Sequence, residues 1–279
     1  MPSRVSGLLR ASHPEPTAAV TAVAALLAWG IGHPPGSVAT VAGAVLASQL
    51  AVGWSNDWLD ARRDQLAGRR DKPIPRGAVD RRLVGVAAVL ATLATPLLAL
   101  RANPVAAACL TVALLSGLLY NWPLKNTPAS VVPYLVAFGA LPAFVVVALP
   151  NRPAPPAWLV VAGALLGGGA HFVNVLPDLT DDVRTGVRGL PHRCGPRIAR
   201  GAAAGLLLAA TLVLVFGPPG APSWLGLAAL AATAVTLGAG WYAARAAERR
   251  GARSTAAFRA VMLVAVIDVA LLVTHGRIV

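Results

Sequence analysis

Long apolar segments separated by short polar ones follow each other along almost the whole chain. Each apolar segment holds about 20 residues, the length that an α-helix needs to cross the hydrocarbon core of a bilayer. Nine segments can be marked, at about residues 16–33, 37–57, 83–101, 104–121, 128–149, 156–177, 196–217, 222–243 and 256–275. The pattern predicts an all-α, polytopic membrane protein that forms one domain over residues 1–279.

The composition agrees with this prediction. Hydrophobic residues make up 56% of the chain, and the mean hydropathy is +0.66. Charged residues make up 13%, whereas a soluble domain carries about 25%. The two cysteines, Cys109 and Cys194, lie in unrelated contexts and form no metal-binding or disulfide motif.

The basic residues predict the orientation of the spans. With the N-terminus on the inner side, 21 of the 24 Lys and Arg residues fall in inner segments. The exceptions are Arg101, Arg152 and Arg277. Positive residues concentrate on the cytoplasmic side, so we expect a cytoplasmic N-terminus and a location in a bacterial inner membrane. The net charge of +13 then reflects topology, and no basic stripe interleaved with aromatic residues indicates nucleic-acid binding.

A dense group of polar side chains follows the second apolar segment. Asn56, Asp60 and Asp64 are spaced i, i+4 and i+8, and Asp57 adjoins Asn56. On a helix this spacing aligns oxygen-bearing side chains along one face. Carboxylates at a membrane edge are costly unless they hold something positive, and a hard divalent cation such as Mg²⁺ fits them.

A second acidic group lies on the same predicted side of the membrane. Asp178 and Asp182 are again spaced i and i+4, with Asp181 between them. Arginines near the two groups predict a phosphate-binding rim; they are Arg62, Arg63, Arg69, Arg70, Arg184 and Arg188. Together these features predict a Mg²⁺–diphosphate site that opens into an apolar bundle, which suits a prenyl diphosphate.

Several motifs of this chain resemble those of the UbiA-type intramembrane prenyltransferases. The first is Asn56-Asp57-x-x-Asp60-x-x-x-Asp64, which continues to Arg70-Asp71-Lys72-Pro73. The second is Asp178-x-x-x-Asp182. The segment from Tyr120 to Lys125 and the lead-in Leu8-Leu9-Arg10 before His13 also resemble family elements, although many relatives have arginine where this chain has His13.

The resemblance implies nine helices around a central cavity with a cytoplasmic cap. It implies a role for each matching residue. The implied Mg²⁺ ligands are Asn56, Asp57, Asp60, Asp64, Asp178 and Asp182. The expected diphosphate-binding residues are Arg10, Arg70, Lys72, Lys125 and Arg188. The expected catalytic residues are Asp60, Asp64, Asp178, Asp182 and Tyr120, with Tyr120 near the reacting carbon.

The expected activity is Mg²⁺-dependent transfer of a prenyl group from an allylic diphosphate to a lipophilic acceptor, with no obligate protein partner. An aromatic quinone precursor is the first choice of acceptor. A glycerol or sugar phosphate, a tetrapyrrole, and an intramembrane terpene cyclisation stay open as alternatives. A transporter is disfavoured, because it would need acids at mid-membrane, and eight of the eleven acids lie in two loops on one side. His171 and Asp268 lie inside spans, and we expect them to make hydrogen bonds within the bundle.

Overall fold

The structure is a computed structural model that describes residues 4–69, 71–151, 153–176, 179, 186–250 and 255–274. This part of the chain is helical and contains no β-strand. The helices are α1 (Arg4–Ala11), α2 (Pro14–Gly30), α3 (Pro35–Leu66), α4 (Arg81–Leu100), α5 (Pro104–Asn121), α6 (Val132–Val147), α7 (Ala157–Val175), α8 (Leu190–Phe216), α9 (Trp224–Arg249) and α10 (Ala256–Thr274). A 3₁₀ turn covers Leu124–Asn126.

Seven helices of the described chain are long and apolar enough to cross a membrane: α3, α4, α5, α7, α8, α9 and α10. The all-α prediction is confirmed, and the protein is a multi-pass integral membrane protein. The two remaining predicted spans correspond to shorter helices, because α2 has 17 residues and α6 has 16. The short helix α1 precedes them and was not predicted.

The main difference from the predicted bounds lies in α3. The apolar pattern ends near residue 57, but the helix continues to Leu66. The added residues include Leu, Ala, Arg and Gln, which favour helix without being apolar as a group. The first acidic motif therefore lies on the last turns of a continuous helix.

The chain divides into two compact units. The first contains Met1–Lys125 and Ala143–Ala154, and the second contains Asn126–Pro142 and Pro155–Val279. In the first unit, α3 packs against α2, α4 and α5. In the second, α8 packs against α7, α9 and α10.

Close backbone contact in the first unit depends on glycine. A Cβ on Gly53 of α3 would lie 2.5 Å from the Ser12 carbonyl oxygen, and a Cβ on Gly7 of α1 would lie 2.5 Å from the Ala78 carbonyl oxygen. The first contact brings the α1–α2 junction onto α3 one turn before Asp57. The second holds the loop after α3, which carries Lys72, against α1.

The second unit uses small residues in the same way. A Cβ on Gly167 of α7 would lie 2.5 Å from the Tyr134 carbonyl oxygen of α6. A Cβ on Gly169 would lie 2.7 Å from the Leu207 side chain of α8. Small residues let helices approach closely in a membrane, where the hydrophobic effect does not drive helix association.

Candidate active site

Three carboxylates of the first motif are buried on α3. Asp57, Asp60 and Asp64 are 3%, 7% and 4% exposed, and Asn56 is half-buried. Their partners all belong to the first compact unit. We call this group, together with His13, Arg63, Lys72 and Lys125, the α3 cluster.

The Asp57 end of the cluster joins three chain segments. Lys72 Nζ donates a hydrogen bond of 2.7 Å to Asp57 Oδ1, and His13 Nε2 lies 2.9 Å from the same oxygen. An ionised carboxylate only accepts, so the His13 contact needs a proton on Nε2. Asn56 Nδ2 lies 3.5 Å from the His13 ring. His13 thus connects the N-terminal segment to Asp57 and lies next to Asn56.

His13 has an unusual backbone conformation. It is the N-cap residue of α2, with φ 53° and ψ 68°. This is the left-handed region of backbone conformation, which residues other than glycine occupy uncommonly. Such residues persist where their surroundings hold them in place. Here the Gly53–Ser12 contact and the Asp57–His13 hydrogen bond supply that restraint.

The Asp60 end of the cluster is a second set of ion pairs. Lys125 Nζ lies 2.5 Å from Asp60 Oδ1, and Arg63 Nη2 donates to Asp60 Oδ2 at 2.8 Å. Arg63 Nη2 also lies 3.7 Å from Asp64 Oδ1. Burial lowers the pKa of Lys125 from its ordinary value, and the nearby Asp60 carboxylate opposes that shift. The contact places a lysine ammonium directly on the central carboxylate of the motif.

The start of the Lys125 segment is anchored to α3. The Asn121 amide at the end of α5 donates to the Val52 carbonyl and to Ser55 Oγ, both at 2.8 Å. The 3₁₀ turn that carries Lys125 begins three residues later. Because Asp60 is two helical turns from Val52, this anchor delivers Lys125 at the level of the motif.

The α3 cluster balances its charges internally. Three carboxylates face the cations of Lys72, Lys125 and Arg63, with His13 beside them. Buried charges are tolerated when they are paired and hydrogen-bonded. Asp57 and Asp60 are therefore stable in this arrangement, and each holds a positive group that a stronger cation could displace, whereas Asp64 shares Arg63 with Asp60.

The donor set of α3 fits Mg²⁺ by its chemistry, since every candidate ligand is a carboxylate or amide oxygen. Among the described residues, however, no group of three or more His, Cys, Asp or Glu is arranged to hold a metal ion. The reason is geometric: a helix rises about 1.5 Å per residue, so Asp57 and Asp64 are separated along the axis by two turns. A metal held here needs further oxygen ligands, such as diphosphate, water or another acidic segment.

The other predicted site residues lie outside the cluster or outside the described chain. Arg10 is exposed near the end of α1, and Tyr120 is half-buried in the last turn of α5. Arg188 is exposed in the second unit, and its carbonyl accepts a hydrogen bond from Arg193 Nε at 3.0 Å. The residues Arg70, Asp178, Asp181, Asp182 and Arg184 lie outside the described part.

The sequence did not identify His13 as a partner of the acids. The motifs indicated only that many relatives have arginine at this position. The structure also shows Asp57 as buried as Asp60 and Asp64, rather than only adjacent to them. The signal in the sequence that could have indicated this contact is Gly53. It lies one helical turn before Asp57, and its lack of a side chain permits the N-terminal backbone to reach α3.

Comparison with known families identifies the relatives of this chain. The sequence profile of the UbiA prenyltransferase family matches residues 17–267. The chain is 32% identical over 233 residues to a protoheme IX farnesyltransferase of an Anaeromyxobacter species, covering 75% of this chain and 74% of that relative. It is 32% identical over 179 residues to a digeranylgeranylglyceryl phosphate synthase of Methanopyrus kandleri, covering 58% of this chain and only 60% of that relative.

The fold is also similar to that of a solved structure. A UbiA homologue from Archaeoglobus fulgidus, bound to GPP and Mg²⁺, superposes with a TM-score of 0.67. The match covers 96% of this chain and 99% of that one, at 15% sequence identity. At this identity the similarity concerns the fold.

Proposed function

Since the chain belongs to the UbiA prenyltransferase family, we propose that it transfers a prenyl group from an allylic prenyl diphosphate to a lipophilic acceptor, with Mg²⁺ as cofactor. The observation that carries this proposal is the α3 cluster. Buried carboxylates, each paired with a cation, lie at the end of a long apolar helix. A site of this kind suits a substrate with an anionic head and an apolar tail.

The cluster supplies both halves of a diphosphate site. Asn56, Asp57, Asp60 and Asp64 would provide oxygens for Mg²⁺, and Asp178 and Asp182 of the second motif would complete the set. Lys72 and Lys125 now pair with Asp57 and Asp60. If the carboxylates bound a divalent cation, Lys72 and Lys125 would be free to donate to diphosphate oxygens. Arg10, Arg70 and Arg188 are the further diphosphate-binding residues that we propose.

Bound Mg²⁺ would neutralise the departing diphosphate, so that the allylic carbon–oxygen bond can ionise. The residues of the chain orient the diphosphate and keep water from the allylic centre. Tyr120 lies in the last turn of an apolar helix and is half-buried, which suits a side chain near the reacting carbon. The residues of the cluster therefore bind and orient the diphosphate. The acceptor forms the new bond to the allylic carbon as the carbon–oxygen bond to diphosphate breaks.

The acceptor is the least determined part of the proposal. An aromatic quinone precursor is our first choice. The relative from Methanopyrus kandleri is named for glyceryl phosphate prenylation, and the one from Anaeromyxobacter for protoheme farnesylation. Those names favour a glycerol phosphate or a tetrapyrrole as the second candidate.

We propose that nine helices, α2 to α10, surround the reaction cavity in one domain over residues 1–279, under a cytoplasmic cap. The family profile spans residues 17–267 and so includes parts of both compact units. The basic residues support a cytoplasmic N-terminus in a bacterial inner membrane. No obligate protein partner enters this proposal.

The test uses purified protein in lipid vesicles, labelled prenyl diphosphates and saturating Mg²⁺. Asp60→Asn should lower turnover more than roughly 100-fold, because loss of outer-shell partners alone costs about 10–100-fold. Asp80→Asn is the matched control, since Asp80 is an exposed helix cap that accepts from Arg82 N at 2.6 Å. Asparagine also caps helices well, so this variant should keep full activity.

Three acceptor classes are then supplied separately: a quinone-precursor aromatic, a glyceryl phosphate and a tetrapyrrole. Mass spectrometry of the labelled product identifies the acceptor. Label in a cyclised hydrocarbon without any acceptor would show a cyclase instead of a transferase. Near-normal turnover of Asp60→Asn would show that the reaction does not need the Asp60 carboxylate.

A further inference from the structure

An apolar cleft lies among α8, α9 and α10 of the second unit. Its volume is about 310 Å³, at the lower end of the roughly 300–1,000 Å³ typical of ligand pockets. The residues that shape it include Arg200, Ala204, Gly238, Trp241, Ala257 and Ala260. Except for Arg200, the residues that line it are apolar.

The cleft exists because α9 approaches α10 closely on one face and leaves a gap on another. A Cβ on Gly240 would overlap the Ala260 methyl group, so the two helices are in close contact there. A Cβ on Gly238, two residues earlier, would meet no atom within 4 Å. The gap is a product of packing, and Gly238, which lines it, has open space around the position of a Cβ.

One arginine lines this cleft, and a second lies next to an aromatic residue that lines it. Arg200 lines it, and its Nε donates to the Pro196 carbonyl at 3.0 Å, which holds the guanidinium in place. The Arg245 guanidinium lies 5.1 Å from the Trp241 ring centroid, and Trp241 also lines the cleft. Guanidinium groups bind phosphate oxygens in a planar, bidentate geometry.

The position of the cleft along the helices matches a membrane interface. It is lined by residues 200–204 of α8, by residues 237–241 in the second half of α9, and by residues 257–261 at the start of α10. Trp241 and Tyr242 are 48% and 78% exposed there, and aromatic residues gather at the headgroup level of bilayers. Residues 241–259 contain Arg245, Arg249, Arg250, Arg253 and Arg259, against the single acid Glu248.

We propose that this cleft binds an anionic glycerophospholipid from the bilayer leaflet on the arginine-rich side of the protein. One acyl chain occupies the apolar cleft, and the headgroup phosphate pairs with Arg200 and Arg245. Basic pockets between transmembrane helices bind anionic headgroups in this way. Among the described residues, no carboxylate lines the cleft, and these residues offer no ligands for a Mg²⁺–diphosphate substrate. The proposal does not depend on the prenyl-transfer reaction.

The test is native mass spectrometry of the purified full chain, incubated with phosphatidylglycerol or with phosphatidylcholine of identical acyl chains. The wild-type protein should retain one phosphatidylglycerol and lose phosphatidylcholine. Arg200→Gln should weaken retention roughly five-fold, as expected for one arginine near an anionic surface. Arg197→Gln is the control, because Arg197 is exposed one turn earlier on α8 and does not line the cleft.

A second pair of variants tests the cleft itself. Gly238→Leu fills it and should abolish retention, whereas Gly43→Leu should not, since Gly43 of α3 is likewise open around its Cβ and belongs to the first unit. Equal retention of phosphatidylcholine, or retention unchanged by Gly238→Leu, would overturn the proposal. If Arg200→Gln fails to fold by size-exclusion chromatography, the Gly238→Leu result decides.

Discussion

Buried acids occur in both compact units, but they are held in different ways. In the first unit, Asp57 and Asp60 form ion pairs with Lys72, Lys125 and Arg63. In the second unit, Asp268 of α10 is fully buried, and its Oδ1 lies 2.5 Å from Thr211 Oγ1 of α8. Within the described chain, Asp268 has no cationic partner, and its Oδ2 makes no hydrogen bond.

The difference indicates two uses of the same side chain. A carboxylate that pairs with a cation can exchange it for another, which is what a metal or diphosphate site requires. A carboxylate that meets only a hydroxyl group links two helices, and intramembrane hydrogen bonds of that kind contribute about 0.6 kcal/mol on average. Asp57, Asp60 and Asp268 all lie in apolar helices, so the two roles differ only in the partners of the carboxylate.

The largest expected effect comes from removing a cation of the α3 cluster. Lys125→Met leaves Asp60 with Arg63 alone, and breaking a buried ion pair costs about 3–5 kcal/mol. The free energy of unfolding should fall accordingly in metal-free detergent solution. Added Mg²⁺ should restore part of it, because the carboxylate then holds a metal in place of the ammonium.

The control for this prediction is the double variant Asp60→Asn with Lys125→Met, which removes both charges. It should be more stable than Lys125→Met alone and should no longer respond to Mg²⁺. Equal stability of the single and double variants would show that the ion pair does not hold the cluster together.

A smaller effect is expected at Asp268. A double-mutant cycle with Asp268→Ala and Thr211→Val should give a coupling free energy of about 0.6 kcal/mol and at most about 1.7. The measurement is unfolding in mixed detergent, with and without Mg²⁺, and Mg²⁺ should make no difference. Asp268→Asn retains a hydrogen-bonding group and should keep turnover within a few-fold of wild type.

A different result would be a loss of turnover of more than about ten-fold in well-folded Asp268→Asn, which is close to 1.4 kcal/mol at the transition state. It would remove the distinction between Asp268 and the acids of the α3 cluster. Asp268 would then belong to the reaction site. The free energy of unfolding of Asp268→Asn, measured on the same preparation, distinguishes this result from partial unfolding.

The sequence predicted the helices well because their signal is local. Apolar length alone located every described helix except α1, and the spacing of Asn56, Asp60 and Asp64 predicted one helical face. The end of α3 was placed too early, since hydropathy stops at the membrane edge whereas helix propensity continues to Leu66. Seven spans could be confirmed by length, and α2 and α6 were too short for that criterion.

The contacts within the site could not be predicted, because they join distant segments. His13 meets Asp57 across 44 residues, and Lys125 meets Asp60 across 65. The first contact depends on a backbone approach at Gly53, and the second on the anchor that Asn121 makes to α3. Spacing rules describe one helix, so they carry no information about such approaches.

The smallest effect is expected for the exposed ion pair next to the cluster. Arg69 Nη2 donates to Asp71 Oδ2 at 2.8 Å, and Asp71 is exposed. The hydrogen bond from Arg69 is the main cause that lowers the pKa of Asp71 below its ordinary value. Surface pairs of this type contribute about 0.2–1 kcal/mol and are screened by salt, so Asp71→Asn should change the free energy of unfolding by no more than that.

Its dependence on pH has a definite sign. Because the folded-state pKa is lowered, the stabilisation is complete above the unfolded-state pKa of about 3.9. It is lost as the pH falls through the lower folded-state pKa. Unfolding of wild type and Asp71→Asn is measured at pH 7 in low and high salt, and then at decreasing pH from about 3.9 downwards. The difference should disappear in high salt, and it should fall progressively as the pH decreases. A difference of several kcal/mol that persists in high salt would place Asp71 with the buried acids of α3 rather than with the surface.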